Sequence, residues 1–105
     1  METARLQDKV AAFVKRHGLD AGVEARLLDL VSEAGELSKE ALKGSAYGKK
    51  PFAPTGEWTS EMGDVLFSLA ALANATGVDL EVALDEALAK YEARLAEKGD
   101  VGSGR

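Results

Sequence analysis

The sequence predicts an all-α fold, a four-helix bundle-like protomer that oligomerises. Two observations predict the helices. Apolar residues recur at three- and four-residue spacing in four separate segments, and alternating apolar–polar runs of strand type are missing. A third observation divides the chain. Both prolines, Pro51 and Pro54, fall within GSAYGKKPFAPTG, residues 44–56, together with three glycines. This stretch marks one internal loop between two helical halves.

The first helix is carried by Leu6, Val10, Phe13 and Val14, and His17-Gly18 reads as its stop. A cation such as His17 at that end interacts favourably with the helix dipole. The second helix runs from about Val23 to Lys43, with Leu27, Leu30, Ala34, Leu37 and Ala41 as its stripe and Gly44 as a cap. The third starts at Thr55 or Gly56 and reaches about Thr76. Met62, Leu66, Leu69, Leu72 and Ala73 form its apolar face, and Gly77 ends it. Asp79 reads as the N-cap of a fourth helix that continues to about Lys98. Residues 1–98 are thus expected to form one domain, and the Gly-rich residues 99–105 a flexible tail.

Composition narrows the function classes. A chain of 105 residues, 46% of them hydrophobic, can form one small core, though one marginal enough that self-association would help. A net charge of −5 argues against binding a nucleic acid polymer or an anionic membrane surface, both of which call for a basic face. The absence of cysteine excludes disulfide and thiolate chemistry. No segment approaches the length of a membrane span, and METARLQDKVAAF lacks a signal-peptide core, so the expected location is the cytoplasm.

The stretch SEAGELSKE, residues 32–40, places three glutamates and a glycine inside a helix. Glycine there costs about 1 kcal/mol against alanine, so the segment is not optimised for helicity alone. Glu33 and Glu36 are three apart, as are Glu61 and Asp64. That spacing puts both members of each pair on one helix face. Glu33 and Glu61 fall at the edge of their apolar stripes, while Glu36 and Asp64 lie further out on the same flank. Two such helices packed antiparallel bring four carboxylates together, and that much like charge calls for a shared cation. Hard divalent ions such as Mg²⁺ prefer these oxygen donors. Ser68, Ala71 and Ala75 extend the acidic flank of the third helix with small side chains, leaving room beside it, and Gly35 could do the same beside the first pair.

The pattern Glu33-x-x-Glu36, a spacer from Leu37 to Ser60, then Glu61-x-x-Asp64 resembles the signature of the MazG-like nucleotide pyrophosphohydrolases. The surrounding stretches LLDLVSEAGELSKEALKG and EWTSEMGDVLFSLAALANATGVDLEVALDEAL resemble the family too, so the likeness runs from the second helix to the fourth. The resemblance implies an all-α homodimer or homotetramer that cleaves nucleoside triphosphates between the α and β phosphates. It implies a requirement for Mg²⁺, for which Mn²⁺ could substitute, and assigns Glu33, Glu36, Glu61 and Asp64 as metal ligands and catalytic residues. Basic positions in the family lie near the substrate phosphates, which points to Lys90 and Arg94, four apart on the fourth helix, with Lys39 as a further cation. Asn74 is a candidate for hydrogen bonding ribose or base. Some family members carry an extra glutamate, able to act as general base, at the place of Ser32, so the resemblance names no base for this chain. The implied role is removal of unwanted nucleotides. Two alternatives stand beside it: a phosphoribosyl-ATP pyrophosphohydrolase, from the same superfamily, and a non-catalytic helical oligomerisation module. Tyr47, Phe52 and Trp58 could stack on a base or plug the core, and Lys49-Lys50 could guide an anionic substrate.

Overall fold

The structure, a computed structural model, describes residues 3–99. Four helices account for nearly all of its regular backbone: α1 (Thr3–His17), α2 (Val23–Gly44), α3 (Trp58–Ala75) and α4 (Leu80–Lys98), with no strand among the described residues. The predicted tail lies outside the described residues except for Gly99. That residue adopts φ 82° and donates its N–H to the Leu95 carbonyl, so it caps α4 and does not begin a tail.

α2 and α3 form the most extensive pairing, α1 packs on α3, and the main contact of α4 is with α1. The α2–α3 packing follows from side-chain size. Ser68, Ala70, Ala71 and Ala73 are the buried residues of α3, so its small-residue face lies inward and lets neighbouring backbones approach. Of the expected apolar face of α3, Ala73 is buried and Leu72 half-buried, but the larger residues before them do not join the core. Met62, Leu66 and Leu69 are exposed, as are Leu27, Leu28 and Val31 of α2. The buried apolar residues of the described chain are three alanines, Ala70, Ala71 and Ala73. Accordingly the protomer is open, with a radius of gyration of 16.6 Å against about 13 Å for a compact chain of this length.

The helix ends differ in instructive ways from expectation. Asp79 caps α4 as its sequence predicts, accepting from the N–H groups of Glu81 and Val82 at 2.8 and 3.3 Å. Gly44 is not a left-handed cap but the last residue of α2. A Cβ there would lie 2.6 Å from the Ala53 carbonyl oxygen and 2.6 Å from the Phe52 ring, so glycine is required by close approach. α3 starts at Trp58, later than Thr55 or Gly56, because Thr55 turns back and donates its hydroxyl to Glu40 Oε1 at 2.6 Å. In the loop between, Ala46 and Tyr47 take φ 48° and 60°. Two consecutive left-handed residues that carry a Cβ store strain, held here by Tyr47 N–H bonding the Leu42 carbonyl at 2.7 Å.

Gln7 ties α1 to the α3–α4 turn. Its amide donates to Asn74 Oδ1 at 3.1 Å and to the Val78 carbonyl at 2.7 Å, and its Oε1 accepts from the Leu80 N–H at 2.8 Å. Asn74 returns a bond to the Gln7 carbonyl at 3.0 Å. The axes of α3 and α4 meet there at 101°. No single helix among the described residues is long and apolar enough to cross a membrane.

Candidate metal centre

The acidic flank of α2 faces the acidic flank of α3, and both positions follow from helical spacing on two paired helices. One carboxylate oxygen each from Glu33, Glu61 and Asp64 lies within 4.8 Å of the others. Glu33 and Glu61 are half-buried and Asp64 is exposed, so the cluster opens toward solvent on one side. Glu36 stays outside this group. It pairs with Lys39 at 3.8 Å, both side chains being more than half exposed. An ion pair that exposed contributes little.

Glu61 registers the crowding. Burial holds its carboxyl above the usual carboxylate range, and the charges of Asp64, Glu33, Glu36 and Glu40 push in the same direction. Three carboxylates that converge in this way form a donor set suited to a hard divalent cation. The residues present therefore fit such an ion in donor type and in convergence.

Glu40 is a functional candidate that spacing alone did not single out. It is buried, it lies seven residues beyond Glu33, and it carries charge toward Glu61. The Thr55 hydroxyl holds its carboxyl below the usual range against the opposing effect of burial, and Lys43, 3.2 Å away, adds to the lowering. Glu40 thereby ties the loop that leads into α3 to α2. The signal was present in SEAGELSKE, whose third glutamate recurs two turns after the first on one face.

The other candidates are dispersed. Lys90 and Arg94 flank the Tyr91 ring at 5.8 and 6.0 Å, on a helix whose main contact is α1. Asn74 belongs to the Gln7 network described above. Phe52 and Trp58 meet edge to face with centroids 5.0 Å apart and border an apolar crevice with Ala41 and Leu42, while Tyr47 is exposed. Lys49 and Lys50 are exposed in the loop. His17 stacks against Phe13 at 4.5 Å, at the basic end of α1. Gly35 has no atom within 4 Å of a built Cβ, so it makes no room for a neighbour in this protomer. Ala71 and Ala75 do, since they line a cavity of about 390 Å³ near the end of α3.

Comparison with known proteins agrees with the all-α architecture. The model of the MazG nucleotide pyrophosphohydrolase domain matches residues 22–97, the span that holds all four predicted ligands. A crystal structure of the Bacillus-conserved MazG protein, a nucleotide pyrophosphohydrolase, superposes with a TM-score of 0.73 at 27% identity. The match covers 87% of this chain and 89% of that one. The uncharacterised protein YpjD of Bacillus subtilis (strain 168) is 40% identical over 73 residues, which cover 67% of this chain and 64% of YpjD.

Proposed function

The chain belongs to the MazG nucleotide pyrophosphohydrolase family, and on that premise we propose that it is a Mg²⁺-dependent nucleoside triphosphate pyrophosphohydrolase. Water adds to the α phosphorus, the α–β phosphoanhydride breaks, and the products are a nucleoside monophosphate and pyrophosphate. The observation that carries the reading is the convergence of Glu33, Glu61 and Asp64 from two helices to within 4.8 Å. These three would hold the ion, and Glu36, one turn along α2 from Glu33, would be a further ligand. A divalent ion supplies positive charge for the phosphates and lowers the pKa of an attacking water.

The chain's own residues position and neutralise. Glu40 and Thr55 tie the loop that leads into α3 to α2. Lys39, beside Glu36, would offer its charge to a phosphate oxygen. Lys90 and Arg94 serve the same purpose only if α4 of one copy reaches the acids of another. The exposed faces of α2, α3 and α4 support such a homodimer or homotetramer. Clearing unwanted nucleotides in the cytoplasm is the role we assign.

Pyrophosphate release from a panel of ribo- and deoxynucleoside triphosphates, with Mg²⁺, with Mn²⁺ and with chelator, tests this on the wild type and Asp64→Asn. Metal-dependent release that disappears in the variant supports the reading. Turnover of phosphoribosyl-ATP alone would move the assignment to that substrate. No turnover of any of these by folded protein would leave a helical assembly module.

A further inference from the structure

We propose that the cavity bounded by α1, the α1–α2 connection, α2 and α3 is a binding site for a small monocarboxylate with a short apolar tail. The cavity holds about 390 Å³, within the range of small-molecule sites. Arg26 lines it and is only 7% exposed. A buried arginine ordinarily has a carboxylate beside it, because an uncompensated buried charge is strongly destabilising. Arg26 has none among the described residues, and its one hydrogen bond runs from Nη2 to the Leu19 carbonyl. No buried side-chain nitrogen or oxygen lacks a partner, so the remaining guanidinium N–H groups reach open space, and the space that Arg26 lines is this cavity.

The Leu19 bond also fixes the planar fork. A guanidinium held at one corner presents its other donors in a set direction, the arrangement that suits a carboxylate. Lys15 lines the same cavity and makes no ion pair among the described residues. Asp20 lines it as well. Two cations and one anion leave a single positive charge, which favours a monoanion and opposes a dianion. The opposite wall is small and apolar, with Ala71 and Ala75 of α3, so the tail of the ligand lies against them.

This site is separate from the acidic centre. Arg26 precedes Glu33 by seven residues on α2, and Ala71 follows Asp64 by seven on α3, each about 10 Å along its helix. An anion bound here is not a ligand of the proposed metal.

The test is a two-dimensional NMR titration of the full chain in chelator-containing buffer, which keeps the acidic centre metal-free. Butyrate is the probe, with inorganic phosphate and sodium chloride at matched ionic strength as comparators. The expected result is saturable shifts at the amides of Ala21, Arg26, Ala71 and Ala75, with butyrate saturating at lower concentration than phosphate. A saturable rise in Tm accompanies them. Ala75→Leu, which puts a larger side chain on the wall where the tail lies and leaves Arg26 and its Leu19 bond in place, strongly weakens butyrate binding, and Lys15→Gln weakens it several-fold. Arg26→Met also removes binding, and Ala75→Leu decides the matter if that variant fails to fold. The proposal is overturned by shifts that never saturate, by shifts that centre on Lys49 and Lys50, by phosphate binding more tightly than butyrate, or by an Ala75→Leu protein that binds as the wild type does.

Discussion

At the scale of single residues, the titration of two glutamates runs in opposite directions. Glu61 has a raised carboxyl pKa, so over the interval between the ordinary carboxylate range and its raised value the folded chain binds more protons than the unfolded one. Its effect on metal-free stability therefore declines as pH rises through that interval. Glu40 is lowered, so its contribution is present above the ordinary range and is lost as pH falls through the lowered value. Urea unfolding in chelator between about pH 4 and 7 should show a maximum on the acidic side, and Glu61→Gln should flatten the limb above it. Adding Mg²⁺ should reverse that limb, because the ion replaces the proton. In turnover assays Asp64→Asn should lose about two to three orders of magnitude in kcat, as loss of one preorganised charge contact does. The acids were legible because i, i+3 spacing is visible in any helix. The exclusion of Glu36 from the cluster was not, since it depends on how far α2 is rotated against α3. The burial of Arg26 was not legible either, because its partner is a backbone carbonyl.

At the scale of elements, the two helical halves and the Asp79 cap were legible from periodicity and cap chemistry. The start of α3 was missed because the Thr55 hydroxyl serves Glu40 rather than a helix end. The face of α3 was legible only at Ala73, for a different reason: hydrophobic size marks what must be covered, not what covers it. Gly44 tests the packing of the loop on α2. An alanine there gains less than about 1 kcal/mol of helix propensity at a helix end. It also meets Ala53 and Phe52 at 2.6 Å, and such overpacking costs about 1–3 kcal/mol. Gly44→Ala should therefore be net destabilising in thermal or urea unfolding, whereas Gly35→Ala, in open space, should stabilise by up to about 1 kcal/mol. Gln7→Leu removes three bonds and leaves the Leu80 N–H, the Asn74 Oδ1 and the Val78 carbonyl without that partner. A loss of about 2–3 kcal/mol is expected, with α1 and α4 exchanging amide hydrogen faster than the α2–α3 pair.

At the scale of the whole molecule, the disparity among the described residues between three buried alanines and eighteen exposed large apolar side chains is the dominant fact. We propose that another copy of the chain covers that surface. The Tm should fall by a few degrees for each tenfold dilution, and sedimentation should show no folded monomer. A Tm independent of concentration, with a folded monomer in solution, would refute this. The composition gave no hint of the disparity, because 46% hydrophobic content describes a closed core and an open one equally well.

The acidic cluster has a further consequence, for the order of events in folding. Glu33, Glu61 and Asp64 all belong to α2 and α3, which are consecutive in the chain and form its most extensive pairing among the described residues. Contacts close in sequence form early, so this pair is the natural nucleus. Its closure forces like charges together before α1 or α4 can help. Without a divalent ion the chain repels itself at its own transition state. Mg²⁺ should therefore accelerate refolding in stopped-flow measurements and leave the unfolding rate less changed, and Glu61→Gln should refold fast with or without it.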